Sequence, residues 1–198
     1  MNSRSSTSGR RAGTESTRND LLRAGAELLQ ENGVRALSAR EAAIRAKVNP
    51  AMVRYFFKNR LGFLAALMDY GFETVLQQST GQPDASPFEA LVRSIHRTPW
   101  LAQLLVQTVY AGDELRDHFE KTHAPKLLAN YRTLLANGQA AGQIRNDLPE
   151  SLAITGLISL IVFPVIAADS LQKMVFDGPS QDFEDTAVAL VTRLYSRR

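Results

Sequence analysis

Residues 37–64 read LSAREAAIRAKVNPAMVRYFFKNRLGFL, and this stretch decides the fold. Ser38 and Glu41 form a capping box, with the serine oxygen placed for the backbone N–H at Glu41. The box opens a short alanine-rich helix ending near Ala46. Asn49 before Pro50 is a second start signal: an oxygen-bearing cap, then a proline where the missing N–H costs nothing. That helix runs to about Phe57. Asn59 then caps a longer one through Leu61, Leu64, Leu67 and Met68 to about Gln78. Only Lys47, Val48 and Asn49 separate the two short helices. With a further helix ahead of them, this is a helix-turn-helix, whose second helix lies in the DNA major groove.

Upstream, Thr17-Arg18-Asn19-Asp20 reads as the N-cap of that preceding helix. Leu21, Leu22, Gly25, Leu28 and Leu29 share one of its faces, and Gly33 ends it. Ala42, Ala43 and Ala46 are small enough for helices to cross closely. Val48, Val53 and Phe57 offer a shared core with Leu28, Leu29 and Leu37. Outside that core stand Arg40, Arg45, Lys47, Arg54, Tyr55, Lys58 and Arg60. Ile44 also falls on this polar side, and nothing in the pattern explains it.

Charge divides the same way. Residues 1–60 carry twelve Lys/Arg against five Asp/Glu, net +7, and residues 61–198 carry eleven against fifteen, net −4. A basic first third predicts a polyanionic partner there. The first sixteen residues hold no apolar stretch, so no signal peptide is expected, and their Ser, Gly and Arg content predicts a disordered basic arm over 1–16. Arg10 and Arg11 are candidates for the minor groove. The longest apolar run, residues 154–168, is interrupted by Thr155, Ser159 and Pro164. It is too short to span a bilayer, so no membrane partner is expected.

The motifs of residues 42–49 (AAIRAKVN), 51–57 (AMVRYFF) and 59–64 (NRLGFL) resemble the TetR family of bacterial one-component regulators. The likeness runs from about Thr17 to Met68, roughly a quarter of the chain. Residues 137–149 (NGQAAGQIRNDLP) also resemble a junction common in the C-terminal part of that family. Lys47 stands where the pattern often has glycine, Phe56 where it has His or Tyr, Lys58 where it has glycine or proline, and Arg60 where it has lysine. The changes at 47, 58 and 60 keep or add positive charge, whereas Phe56 removes a polar group.

Roles follow from chemistry. Ser38, Arg40, Tyr55, Lys58, Asn59 and Arg60 are expected to hold phosphates, with Lys47 and Asn49 beside them in the turn. Pro50, Ala51, Met52 and Arg54 are expected to read base edges, Arg54 gripping guanine and Met52 or Ala51 meeting a thymine methyl. The resemblance places contacts in these regions too.

The remainder predicts helices near 87–98, 100–110, 114–141, 150–175 and 182–196, opened by a second capping box at Ser86 and Glu89. The whole is all-α: a helix-turn-helix domain over 17–62, with the motif at about 38–57, and a larger helical domain over 63–198. The resemblance implies that this domain binds a small ligand in an apolar pocket and dimerises through its last two long helices. Trp100, Leu104, Tyr110, Tyr131 and Phe163 are the pocket candidates. The helix expected from Pro149 to Val175 is apolar nearly all round and requires burial on both sides. Leu157, Leu160, Ile161 and Val165, with Val188, Val191, Leu194 and Tyr195, are the candidates for a four-helix homodimer interface. The acidic balance beyond residue 60 favours a neutral or cationic ligand.

Absence of cysteine excludes thiol catalysis and Cys-based metal sites, and suits a cytoplasmic location. There is no phosphate loop or nucleophile elbow. His118 and His123 are five apart, so they do not share a helical face as a metal pair would. Neither an enzyme, a cofactor nor a metal is expected. The function read from the sequence is a regulator of transcription, taken as a repressor. It binds a palindromic operator in double-stranded DNA as a homodimer and is released by a small effector. The alternative is a DNA-bound structural or partner-regulating protein of the same fold with no inducer.

Overall fold

The computed structural model describes residues 5–80, 86–111, 114–142 and 144–166, together with 185, 188–189, 192–193 and 195; side chains at 5–12 and 109–111 are not described. Nine helices are formed among these residues: α1 Ser5–Ala36, α2 Ala39–Arg45, α3 Ala51–Phe57, α4 Arg60–Thr80, α5 Pro87–His96, α6 Pro99–Ala111, α7 Glu114–Thr122, α8 Ala124–Ala140 and α9 Glu150–Ile166. The all-α expectation holds. The chain divides into two compact units, residues 1–71 and 72–198.

In the first unit α1 packs on α2 and α2 on α3. Leu21, Leu22, Leu28, Leu29, Leu37, Val53, Phe57 and Phe63 are buried, and Ala42 and Ala43 are fully enclosed. Gly25 permits a close crossing: a Cβ there would lie 2.7 Å from the Phe63 ring and 3.0 Å from Leu67. Gly33 breaks the helical path of α1 with φ 72°, where the sequence placed an end, and a short helical stretch follows to Ala36.

The start of α1 corrects the sequence reading. The chain is helical from Ser5, so most of the arm expected to be disordered continues α1. Thr17 does not cap: its hydroxyl donates back to the Gly13 carbonyl at 2.8 Å, one turn earlier, a bond available only inside a helix. No proline lies between Ser5 and Thr17 to interrupt the helix.

In the second unit α5 packs on α6 and α9, α6 on α7 and α9, and α8 on α7 and α9. The helix expected over 114–141 is two helices. His123 takes a φ of −109° between them, and Pro125 sits in the first turn of α8, where it needs no hydrogen-bond partner. The break brings His118 and His123 to an edge-on contact of 5.6 Å between ring centroids, which their spacing alone had argued against. His123 also stacks on Phe72 at 4.2 Å.

α9 is apolar all round because its faces have separate duties. Ala153, Ile154, Leu157, Ile161 and Val165 are buried in the core, while Leu152 and Phe163 are each 57% exposed. Leu157, Ile161 and Val165 therefore lie inside the subunit, not on the dimer surface they were assigned to. Leu160 and Val188 are half-buried against the same core. Tyr195 is likewise interior: its hydroxyl donates to the Ala153 carbonyl at 2.7 Å, and its own carbonyl accepts from the Arg145 N–H at 2.9 Å. Gly156 makes room for it, since a Cβ would meet the Tyr195 hydroxyl at 2.7 Å. Val191 and Leu194 lie outside the described residues, as do the parts of the last two expected helices beyond Ile166 other than the few positions named above.

Candidate nucleic-acid interface and ligand cavity

The turn between α2 and α3 is a Schellman motif. Val48 N–H donates to the Ala43 carbonyl at 2.9 Å, and Lys47 N–H to that of Ile44 at 3.0 Å. Such a motif needs a left-handed residue just past the helix, and Lys47 supplies it with φ 56°. Both capping expectations around it are met. Ser38 Oγ accepts from the Glu41 N–H at 3.3 Å, and Asn49 Oδ1 from the Ala51 N–H at 2.9 Å.

α3 buries Val53 and Phe57, one turn apart, and turns Ala51, Arg54 and Tyr55 outward, with Tyr55 71% exposed. Met52 and Phe56 are half-buried at its flanks. An aromatic row fixes the buried side. Phe57 lies 4.9 Å from the Phe63 ring and carries the Arg18 guanidinium 5.7 Å from its own centre.

The junction to α4 is tighter still. Asn59 N–H donates to the Phe57 carbonyl at 2.7 Å across Lys58, whose φ 65° and ψ −59° make this a γ-turn of the rare, strained kind. A Cβ on Gly62 would stand 2.1 Å from that same carbonyl oxygen, so only glycine fits. Asn59 Oδ1 accepts from the Gly62 N–H at 2.8 Å and so caps α4.

Of the residues expected to meet DNA, Arg40, Lys47, Asn49, Pro50, Ala51, Arg54, Tyr55, Lys58, Asn59 and Arg60 are exposed; Ser38 and Met52 are half-buried. Arg60, of this set, is already engaged, and so is Arg45, which lies outside it. Arg60 donates to the Val34 carbonyl at 2.8 Å, tying the start of α4 to the end of α1. Arg45 grips Glu31 through two bonds of 2.7 Å, with Glu27 at 3.8 Å, and holds the Glu31 carboxyl below its ordinary range. Sequence reasoning missed this brace. Its signal was present, because Glu27 and Glu31 are one turn apart on the polar side of α1.

The second unit holds a partly open cavity of about 520 Å³. α4 contributes Phe72 and Leu76, α6 Leu101, Ala102, Leu105 and Val106, α8 Leu134, and α9 Ile158, Val162 and Ile166. Of the five pocket residues expected from sequence, Tyr131 lines this space. Trp100 and Leu104 are buried on the neighbouring face of α6, one helical step away from the cavity face, so they are core. Phe163 is on the outer surface of α9. The side chain of Tyr110 lies outside the described residues. The aliphatic lining was not legible, because nothing local distinguishes a cavity leucine from a core one.

Among the described residues no helix is long and apolar enough to cross a membrane. No protein-family model matches the sequence. No curated protein matches it. Solved structures do. A Rhodococcus sp. protein assigned to the TetR family of transcriptional regulators superposes with a TM-score of 0.68 at 18% identity, covering 92% of this chain and 100% of the other. A TetR-family transcription regulator from Marinobacter aquaeolei VT8 gives 0.62 at 17% identity, covering 95% and 100%. The ketosteroid transcriptional regulator KstR2 of Mycobacterium tuberculosis gives 0.60 at 16% identity, covering 91% and 95%. Over about nine-tenths of its length the chain has the fold of the TetR-family transcriptional regulators.

Proposed function

We propose that the protein is a cytoplasmic DNA-binding regulator of transcription, a repressor that binds a palindromic operator as a homodimer and is released by a small apolar or amphipathic effector. The observation that carries the reading is the exposed face of α3, where Ala51, Arg54 and Tyr55 point away from a core anchored by Val53 and Phe57. Arg40, Lys47 and Lys58 surround it with positive charge matched to phosphate. Two such modules are to stand one turn of DNA apart, about 34–36 Å. The outer stripe of α9, with Leu152 and Phe163 exposed and Leu160 beside them, is our choice of dimer surface. It replaces the interior residues that the sequence favoured.

The effector would act through α4, whose second half lines the cavity and whose first turn is locked to α3. A hundredfold loss of operator affinity asks for a coupling of only about 2.7 kcal/mol. The cavity also favours this reading over a DNA-bound protein with no inducer. Selection of duplexes from a random pool, followed by a salt titration on the recovered site, tests the proposal. The expected outcome is an inverted repeat whose affinity falls steeply with salt. Failure to bind any duplex at low salt refutes it.

A further inference from the structure

We infer that the ligand of the second unit's cavity is an uncharged, mostly aliphatic molecule carrying one hydrogen-bonding oxygen, which is received by Tyr131 and Asn130. This rests on the effector reading above and narrows it, removing the cationic option that surface charge had left open.

The lining decides the charge. Among the described residues that form the cavity, none is Lys, Arg, His, Asp or Glu. An ammonium or carboxylate entering it would give up its hydration and meet no counter-charge. Four lining side chains are polar: Ser79, Thr98, Asn130 and Tyr131. Two of these are already engaged within the protein. Ser79 Oγ bonds the Val75 carbonyl at 2.8 Å and Ser94 Oγ at 3.1 Å, and Thr98 Oγ1 meets Gln78 Oε1 at 3.4 Å.

The side chains of Asn130 and Tyr131 make no hydrogen bond with another described residue. They are neighbours on α8, one exposed and one buried, so the polar end of the cavity is single and local. Burial pushes the Tyr131 hydroxyl up to about 12, which keeps it a donor at any physiological pH. Elsewhere the walls are Leu, Ile, Val and Phe with Ala102 and Pro87, and the Phe72 and Phe119 rings stack at 6.4 Å. Affinity in such a space grows with each buried methylene by about fourfold, the equivalent of about 0.8 kcal/mol.

The test is calorimetric titration of the full chain, without DNA, with decanol, decanoate and decylammonium near neutral pH. Decanol is expected to bind at least about tenfold more tightly than either ion, and octanol about fifteenfold more weakly than decanol. Tyr131→Phe should weaken octanol about three- to tenfold while leaving octane unchanged. Ala102→Phe, placed in the wall, should abolish binding, with thermal unfolding showing that the variant is folded. Equal binding of the ions, or binding undiminished in folded Ala102→Phe, overturns the inference. Adding decanol to the operator complex separates the two readings. Decanol that binds as expected yet leaves DNA bound supports the ligand class and overturns effector release.

Discussion

Around Gly25 and Gly62 the first unit has no room for one methyl group; the second unit is as tight at Gly138 and Gly156, yet it also holds about 520 Å³ of apolar space between its helices. The first unit spends strain to stay tight. Its two non-glycine left-handed residues, Lys47 and Lys58, both stand in the turns that bracket α3. The second spends apolar side chains on walls, so that α9 presents Ile158, Val162 and Ile166 to the cavity and Leu157 and Ile161 to the core. The contrast suits the duties proposed for each. A helix that is to read base edges must hold its backbone in a fixed register against the groove. An apolar ligand is held by area and shape, which many arrangements of Leu, Ile and Val supply.

The comparison breaks most sharply at Gly62. Gly62→Ala sets a methyl group against the Phe57 backbone, and a backbone oxygen, unlike a side chain, cannot swing aside. A loss of about 3 kcal/mol is expected in urea unfolding, with operator binding lost as well. Unchanged stability would mean that the α3–α4 junction is looser than described. Arg54→Ala comes next. It should cost about 1–3 kcal/mol on the selected operator and relax one base preference, read by competition between operator variants. Equal loss on every sequence would reassign Arg54 to phosphate.

In the second unit the sign reverses. Ala102→Leu adds bulk to the cavity wall and is expected to raise stability by about 1 kcal/mol, the opposite of a methyl at Gly62. Destabilisation there would make the two interiors alike. Lys58→Gly should relieve the γ-turn and gain about 1 kcal/mol of stability, while the salt slope of DNA binding falls by about 0.9. A gain without the change in slope would mean that Lys58 touches no phosphate.

Asp147 gives the smallest effect. Its pairing with Arg145 holds the carboxyl at about 2, against an ordinary value of 3.8. A depressed carboxylate stabilises the fold above its unfolded pKa and stops doing so as pH falls through the folded one. The stability difference between the protein and Asp147→Asn should therefore close as pH drops from about 4 to about 2. A constant gap would show that the pair contributes nothing to folding.

How much was legible follows the same division. The helix-turn-helix was readable because caps and turns are local: Ser38, Asn49 and Asn59 each bond a backbone N–H two or three residues on. Gly62 stood in the motif, although only coordinates give its reason. Leu157, Ile161, Val165 and Phe163 were misassigned because hydropathy marks α9 as apolar without saying which neighbour each face meets. Leu157 and Phe163 are equally apolar on paper, yet one is fully buried and the other is 57% exposed. Tyr195 was misread for a related cause. Its partner, the Ala153 carbonyl, is 42 residues away, and no local pattern predicts such a bond. Thr17 shows the converse, a capping residue type used inside a helix.

The Phe57 carbonyl has one further consequence. Wedged between the Asn59 N–H and the bare α-carbon of Gly62, it leaves no slack where α3 meets α4. A tilt of α4 is not absorbed as bending at that corner. It carries α3 along as a rigid spoke on its axle, so that even a small rotation turns Arg54 with it.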